Sequence, residues 1–317
     1  MTVNILVLGF SVTAEEPGFV ESARQKLGEN TRFSIRKIGI GGVHPLHLKF
    51  LIEQILQDIR PDFVVLEIST SPFRMFHKDP MRHQEALNWI LYKCQQHRIG
   101  LAFLDLPRKD VDQEEDWVTA MHRQICAAHA IQYHLVPLRA EFLKDMVHPD
   151  PEGCAYYADH FLMLLDELDP GSQIAGEFPV TTEFGVYDCM KHPDEVGMRH
   201  TRGGYTVDLA EITPDHPLTL SVQPDTSISG LLYLMGPRSG SLAIQVDHTK
   251  IHVSAYDEFC YYERVGIQVF PALKGVNVKI SQLPDIPETA LKKGDKDFGP
   301  RVGYVGKLLY ERPLENT

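Results

Sequence analysis

The sequence predicts a doubly wound α/β domain followed by a domain built of short antiparallel strands. Up to Leu168, short apolar runs alternate with longer amphipathic stretches, which is the pattern of a parallel sheet covered by helices. After Leu168 the segments shorten, alternate in polarity and are separated by Gly, Pro, Asp and Asn. A chain of 317 residues is long enough for two domains, which we place at residues 1–172 and 173–317.

The first domain is predicted to contain five parallel strands. Four of them are nearly continuous apolar or β-branched runs, as expected for strands that are buried on both faces, and the fifth is weaker. In chain order they are Val3–Leu8, Phe33–Ile38, Phe63–Ile68, Leu101–Asp105 and the weaker Ile131–Leu135.

Helices are predicted between and after these strands, because apolar residues recur there at three- and four-residue spacing. In the second helix one face carries Leu48, Leu51, Ile52, Ile55 and Leu56. The predicted helices span residues 17–28, 46–58, 80–97, 112–129 and 152–168. Alternation of these strands and helices predicts one doubly wound sheet.

The second domain is predicted to be an antiparallel β-sandwich, similar to a jelly roll. Eight short segments read as strands, and no stretch there carries a long helical period. These segments are Tyr205–Leu209, Leu218–Val222, Gly230–Met235, Ser241–Val246, Lys250–Ser254, Gly266–Pro271, Val276–Ile280 and Gly303–Tyr310.

Composition disfavours several classes of partner. The 31 Lys and Arg residues against 43 Asp and Glu give a formal charge of −12, which disfavours binding to nucleic acid or to an anionic membrane surface. The apolar opening Val3–Leu8 is too short for a signal-peptide core, and no later run has the length of a membrane span, so we expect a cytoplasmic location. Five scattered cysteines without a CxxC pair predict free buried thiols.

Polar and glycine-rich segments follow the predicted strands of the first domain. Because ligands of open α/β sheets bind beyond the carboxyl ends of the strands, these segments are the candidate site. They are Gly9-Phe10-Ser11, Gly39-Ile40-Gly41-Gly42, Ser69-Thr70-Ser71 and, before the last helix, Asp145-Met146-Val147-His148-Pro149.

Together these segments contain the groups that acyl transfer needs. These are a hydroxyl nucleophile, an imidazole base, a carboxylate that orients the base, and N–H donors for the oxyanion. Each segment alone has a common structural explanation: a serine after a strand caps a helix, a glycine pair makes a turn, and an Asp and a His three residues apart are often solvated. Their order and their placement at strand ends favour the catalytic interpretation.

With these motifs the chain resembles the SGNH (GDSL-type) hydrolase family over residues 3–168. The resemblance implies a flavodoxin-like three-layer α/β/α fold. Gly9-Phe10-Ser11 is similar to the family's Gly-Asp-Ser block, which implies that Ser11 is the nucleophile and an oxyanion donor, and Gly42 matches the oxyanion glycine of the second block. Asp145 to Gly153 is similar to the DxxHPxxxG block, which implies that His148 is the general base and that Asp145 orients it.

The sequence departs from the family pattern at two positions. Phe10 stands where the family has the aspartate of its first block. Ser71 stands where the Gly-x-Asn block has the asparagine that donates to the oxyanion, and a hydroxyl is shorter than a carboxamide. Loss of one such donor typically lowers the rate by about 10²–10³.

Four residues in or near these segments have further interpretations. His44 and His47 follow the glycine loop without a third ligand at metal-binding spacing, so we expect pocket or capping roles and no metal site. We assign His44 and Thr70 to substrate binding. Glu67 either orients the Ser69–Ser71 loop or pairs with a basic neighbour.

The best-supported function from the sequence is therefore a serine esterase without a cofactor, acting on a small or saccharide ester. Family members with a β-sandwich companion often act on acylated carbohydrates, which implies an O-acetyl ester and either hydrolysis or transfer. The first alternative is a carbohydrate-binding or assembly protein that has lost catalysis, and the second is a nucleotide-binding domain with Gly39–Gly42 around a phosphate. The second alternative leaves Asp145 and His148 unexplained. Homo-oligomer formation through the β-sandwich is left open.

Overall fold

The computed structural model describes residues 2–28, 31–76, 79–169, 171–190 and 196–314. The chain divides into two compact units. The first comprises Met1–Val180 and Arg202–Tyr205, and the second comprises Thr181–Thr201 and Thr206–Thr317.

The division falls after the predicted domain boundary at residue 172. Residues that follow this boundary stay with the first unit because they bind its helices. The side-chain amide of Gln95 donates to the carbonyls of Ile174 and Gly176 at 3.0 and 2.9 Å, and His129 Nδ1 lies 2.7 Å from the Ala175 carbonyl. These bonds join side chains to backbone, so the composition shift does not reveal them.

The first unit contains the predicted parallel sheet, with strand order β2-β1-β3-β4-β5. This is the flavodoxin-like order, in which the chain lays its second strand on one side of β1 and the remaining strands on the other. β3 and β4 are buried along their whole length, which explains their continuous apolar sequences. The strands are β1 Val3–Gly9, β2 Phe33–Gly39, β3 Phe63–Glu67, β4 Gly100–Asp105 and β5 Gln132–Leu135.

Seven α-helices are present among the described residues of the first unit. They are α1 Ser11–Ala14, α2 Phe19–Leu27, α3 Pro45–Ile59, α4 Phe73–Phe76, α5 Pro80–Gln96, α6 Trp117–His129 and α7 Pro151–Glu167. The short α1 was not predicted, because four residues are too few to show a period. The helix predicted at 112–129 begins at Trp117, because the Asp116 carboxylate accepts the Thr119 N–H and caps it there.

One core of the first unit lies between the sheet and helices α2 and α7. Ile5 and Val7 of β1 are fully buried there with Phe19 of α2 and Phe161 of α7. The two phenylalanine rings meet edge to face, with centroids 6.0 Å apart. On the other side of the unit α3 packs against α5. The sheet is thus covered by helices, as predicted.

The second unit consists of two antiparallel sheets that share one buried core. One sheet has the order β13-β10-β15-β8-β7 with β6 also paired to β15, and the other has the order β12-β11-β14-β9. The strands are β6 Thr182–Asp188, β7 Gly197–Arg202, β8 Tyr205–Ile212, β9 Leu218–Ser221, β10 Ser227–Met235, β11 Ser241–Val246, β12 Thr249–Ser254, β13 Arg264–Lys274, β14 Asn277–Gln282 and β15 Gly303–Pro313.

All eight predicted strands of the second unit are present, but β6 and β7 were missed. β7 is largely exposed and mostly polar, so it lacks the apolar alternation that marks a half-buried strand. β6 is stabilised by pairing with β15, which lies near the carboxyl terminus of the chain. All five cysteines are free and buried, as predicted. Within the described residues no helix combines the length and apolar character that crossing a membrane requires.

Candidate active site

The carboxyl edge of the parallel sheet carries every residue predicted for the site. In this strand order the crevice lies between β1 and β3, where successive connections leave the sheet on opposite sides. A cleft of about 540 Å³ opens at this edge. The residues around it are Phe10, Ser11, Gly42, Val43, His44, Thr70, Ser71, Pro72, Arg108, Asp145, Met146, Val147 and His148.

Ser11 is the first residue of α1, directly after β1. Phe10 precedes the helix as its N-cap residue and is buried, so an apolar side chain lies at this position. Gly9 is needed beneath this turn, since a Cβ there would lie 2.2 Å from Thr13 Oγ1 and 2.6 Å from the Glu67 carbonyl oxygen. The close packing fixes α1 on the strand ends and holds Ser11 at the cleft.

Ser11, His148 and Asp145 are brought together across the cleft. His148 Nε2 lies 3.0 Å from Ser11 Oγ, and His148 Nδ1 lies 2.8 Å from the nearer oxygen of Asp145. A carboxylate only accepts, so Nδ1 carries the proton and Nε2 is left to accept the Ser11 hydroxyl hydrogen. This is the arrangement in which an imidazole acts as a base toward a serine.

Asp145 is held in its charged form by the turn that contains it. Partial burial opposes ionisation, but the backbone N–H groups of His148 and Val147 and the His148 imidazole outweigh it and lower the pKa of Asp145. The two backbone bonds to Asp145 Oδ1 measure 2.8 and 2.9 Å. The carboxylate therefore orients both the turn and the imidazole.

The glycine loop after β2 runs beside Ser11. A Cβ on Gly41 would lie 3.9 Å from Ser11 Cβ, and Gly42 has a φ of +75°, a conformation that favours glycine. The Gly39 N–H donates to the Gly203 carbonyl at 2.7 Å, and the Ile40 N–H donates to the backbone carbonyl at the end of β1 at 3.1 Å. These two N–H groups are therefore engaged, which weakens the phosphate-binding alternative.

Two of the three hydroxyl side chains after β3 bind other parts of the protein. Ser69 Oγ donates to the Leu106 carbonyl at 2.9 Å, and Thr70 Oγ1 donates to Glu67 Oε1 at 2.7 Å. Both residues are buried. A role of Thr70 in substrate binding would therefore have to use a group other than its hydroxyl hydrogen.

Ser71, the third of these residues, pairs with His44. Ser71 Oγ lies 2.6 Å from His44 Nδ1 and also accepts the Phe73 N–H at 3.4 Å. His44 is the N-cap residue of α3, and its backbone N–H donates to His47 Nδ1 at 3.1 Å. His44 and His47 thus serve the start of a helix. Among the described residues no group of three His, Cys, Asp or Glu side chains is arranged to hold a metal ion.

Two buried arginines hold the backbone of the Ser69–Ser71 loop. Arg74 donates to the Ser69 carbonyl and forms an ion pair with Asp116. Arg108 donates to the Thr70 carbonyl at 2.5 Å. Charged donors form strong hydrogen bonds in a buried setting, so the loop position is closely determined.

Glu67 connects helix α1 with the Ser69–Ser71 loop. It is fully buried at the end of β3, and its Oε2 accepts the Thr13 hydroxyl of α1 at 2.8 Å while its Oε1 accepts the Thr70 hydroxyl. Of the two interpretations given for Glu67, orientation of the loop is therefore the one that the hydrogen bonds support. Burial raises the pKa of Glu67 to about 7, and the nearby Asp105 carboxylate adds to this rise. The hydrogen bonds that Glu67 accepts from Thr70, Thr13 and the Phe10 backbone act in the opposite direction.

Glu67→Gln is expected to flatten the pH dependence of stability. Folding raises the pKa of Glu67, so the folded protein holds a proton that the unfolded chain gives up. The protein is therefore most stabilised by this carboxyl below about pH 4.5, and this stabilisation is lost as the pH rises through about 7. A neutral amide avoids this loss. In urea unfolding, the free energy of unfolding of the variant minus that of the wild type should rise by about 2 kcal/mol from about pH 5 to pH 8. A difference that stays constant with pH would contradict the expectation.

Sequence reasoning missed Arg108 and Thr13. Arg108 lies at the cleft and also binds the Asp110 carboxylate through two nitrogens, at 2.9 and 2.8 Å. It follows β4, so the rule that selected the other strand-end loops applied to it as well. Thr13 gave no signal, because its partner lies 54 positions away in the chain.

Comparison with known proteins gives a match at the level of structure. No family model and no curated protein matches the chain. Two solved crystal structures of a two-domain esterase (CEX) active on acetylated mannans cover 100% of this chain and 92% of their own. The one co-crystallized with mannopentaose has a TM-score of 0.65 and 14% identity, and the other has 0.63 and 15%.

At these identities the match concerns the fold. It spans both the parallel α/β unit and the antiparallel β unit, in the order in which the sequence predicts them. The fold that the SGNH resemblance implied for residues 3–168, together with the β domain after it, is therefore the fold of this chain, and the chain shares it with that two-domain esterase.

Proposed function

We propose that this protein is a serine esterase that uses Ser11, His148 and Asp145 to remove or transfer a short acyl group. The observation that carries the proposal is the continuous hydrogen-bonded series from Ser11 Oγ to His148 Nε2 and from His148 Nδ1 to Asp145. Its location at the switch point of the sheet supports the proposal, because open α/β sheets bind their ligands there. The shared fold with an esterase supports it further.

Acylation begins with Ser11 Oγ attacking the ester carbonyl carbon while His148 Nε2 takes the hydroxyl proton. Asp145 stabilises the resulting imidazolium. The carbonyl oxygen becomes an oxyanion, which receives hydrogen bonds from the backbone N–H groups of Ser11 and Gly42 and from the Ser71 hydroxyl. When the intermediate collapses, the bond to the leaving oxygen breaks, and His148 returns the proton to that oxygen.

Deacylation repeats these steps with a second nucleophile. Water, or a hydroxyl of an acceptor sugar, gives a proton to His148 Nε2 and attacks the acyl carbon. The bond from the acyl carbon to Ser11 Oγ then breaks, and the proton returns to the serine. Hydrolysis releases a carboxylic acid, and transfer releases a new ester.

We propose an O-acetyl ester on a carbohydrate as the substrate. The two-domain esterase that shares the fold is described as active on acetylated mannans. The cleft has about 540 Å³, room for an acetyl group and part of a sugar. Met146 and Val147 bring apolar groups beside Ser11 and His148, and Arg108 brings a polar one.

Release of acetate together with labelling of Ser11 tests this proposal. The purified chain should hydrolyse p-nitrophenyl acetate, release acetate from acetylated manno-oligosaccharides and react with a fluorophosphonate probe at Ser11. Ser34→Ala is a matched control, because Ser34 is exposed on β2 and its loss should leave labelling intact. If the wild type neither turns over an ester nor becomes labelled, the alternative of a carbohydrate-binding or assembly protein replaces the esterase.

A further inference from the structure

Ser71 occupies the position at which the SGNH family carries an asparagine. A carboxamide presents an N–H of fixed geometry, whereas a hydroxyl rotates and can turn its hydrogen away. Ser71 is buried, with a relative exposure of 2%, and its Oγ has His44 Nδ1 at 2.6 Å and the Phe73 N–H at 3.4 Å. The direction of its hydrogen is therefore decided by these two neighbours.

Two arrangements of the Ser71–His44 bond exist. If Ser71 donates to a bare His44 Nδ1, an oxygen lone pair is left toward the cleft, where it would repel an oxyanion. If Nδ1 carries the hydrogen, it donates to Ser71 Oγ. With Phe73 donating as well, both lone pairs of the hydroxyl are occupied, and its hydrogen is free for the cleft.

We propose that His44 is a positioning residue whose Nδ1–H donates to Ser71 Oγ and thereby directs the Ser71 hydrogen to the oxyanion. The inference rests on the proposed function, because the oxyanion in question is the one formed at Ser11. A neutral imidazole exchanges its tautomers without a change in net charge, so the developing negative charge in the cleft selects the Nδ1–H form. In this way His44 compensates for the missing asparagine.

The surroundings of the pair fit this role. The imidazole of His44 is attached at the N-cap of α3, and its ring centroid lies 5.2 Å from that of His47 and 6.3 Å from that of Phe73. Ser69 and Thr70 direct their hydroxyl hydrogens to protein acceptors. Among the three adjacent hydroxyls, Ser71 is therefore the one placed to serve the cleft.

A matched pair of substitutions, His44→Asn and His44→Asp, tests the inference. The amide nitrogen of asparagine stands two bonds from Cβ, as His Nδ1 does, and keeps a donor there, while aspartate puts an acceptor in the same place. Both residues are good N-caps, so α3 should begin normally in both variants. For p-nitrophenyl acetate we expect kcat of His44→Asn to exceed that of His44→Asp by about tenfold to a hundredfold, with a much smaller difference in KM.

The same pair in a Ser71→Ala background separates action through Ser71 from the charge of the aspartate. If His44 acts through the hydroxyl, kcat of the two double variants should agree within about threefold. A ratio that persists without the hydroxyl would overturn the proposal and assign the effect to the added charge. Equal kcat values for His44→Asn and His44→Asp in the original background would overturn it too.

A third comparison uses the family's own donor. In a Ser71→Asn variant the oxyanion donor no longer depends on His44, so adding His44→Asp should lower kcat far less than it does with Ser71 present. An equal loss in both backgrounds would count against the inference. Failure of the proposed function is distinct from all of these results, because a wild type without esterase activity and without labelling at Ser11 has no oxyanion to position.

Discussion

Ser11→Ala is expected to lower kcat for p-nitrophenyl acetate by about 10⁴-fold or more, the largest effect of any change considered for this chain. The substitution removes the proposed nucleophilic oxygen and leaves His148 Nε2, which lies 3.0 Å from Ser11 Oγ, without its proton donor. His148→Ala should cause a loss of similar size. The double variant should lose little more, because nucleophile and base act as a unit.

Asp145→Asn is expected to retain more activity than either of these variants. An asparagine oxygen can still accept the backbone N–H groups of Val147 and His148. It cannot stabilise the imidazolium as a carboxylate does, so activity should still fall substantially. Circular dichroism of all variants checks that they remain folded. A Ser11→Ala protein that keeps more than a tenth of wild-type kcat would place the nucleophile elsewhere.

Asp116→Ala is expected to lower the free energy of unfolding by about 3–5 kcal/mol, because it leaves the Arg74 guanidinium buried without its counterion. Arg74 and Asp116 have side-chain exposures of 5% and 2%. Asp116 also caps α6 by accepting the N–H and the hydroxyl of Thr119, at 3.1 and 2.5 Å. Since Arg74 holds the Ser69 carbonyl, esterase activity should fall with stability.

Tryptophan fluorescence during urea unfolding measures this effect in the first unit, since both tryptophans, Trp89 and Trp117, belong to it. Asp159→Ala is the matched control. Asp159 pairs with Lys26 on the surface of the same unit, with side-chain exposures of 61% and 36%. Loss of an exposed pair typically changes stability by less than about 1 kcal/mol. Equal effects at Asp116 and Asp159 would show that the buried pair contributes little.

The position of the Ser69–Ser71 loop connects the predictions on stability with those on activity. Its backbone is held by Arg74 and Arg108, and Glu67 connects it to α1, the helix that begins at Ser11. A change at any of these contacts is expected to shift the Ser71 hydroxyl relative to Ser11. Activity of the stability variants is therefore expected to fall before the fold is lost.

The sequence by itself determined the order of elements in the first unit and the position of the cleft. Strands buried on both faces must be continuously apolar, and helices that cover a sheet must repeat every three to four residues, so both patterns are local. The carboxyl ends of the strands then identified the loops around Ser11, Gly42, Ser71 and His148. The sequence did not predict β6 and β7. β7 is mostly polar and exposed, and β6 is recognisable only from its pairing with β15.

Only the tertiary structure decided which polar atoms meet. The Ser71–His44 bond spans 27 positions in the chain, and the Thr13–Glu67 bond spans 54. Burial of a side chain follows from the pattern of its own segment, whereas a hydrogen bond requires two atoms to meet within about 3 Å at a suitable angle. That accuracy depends on the order of the strands and on the close packing that Gly9 permits, so it arises only when the whole sheet is assembled.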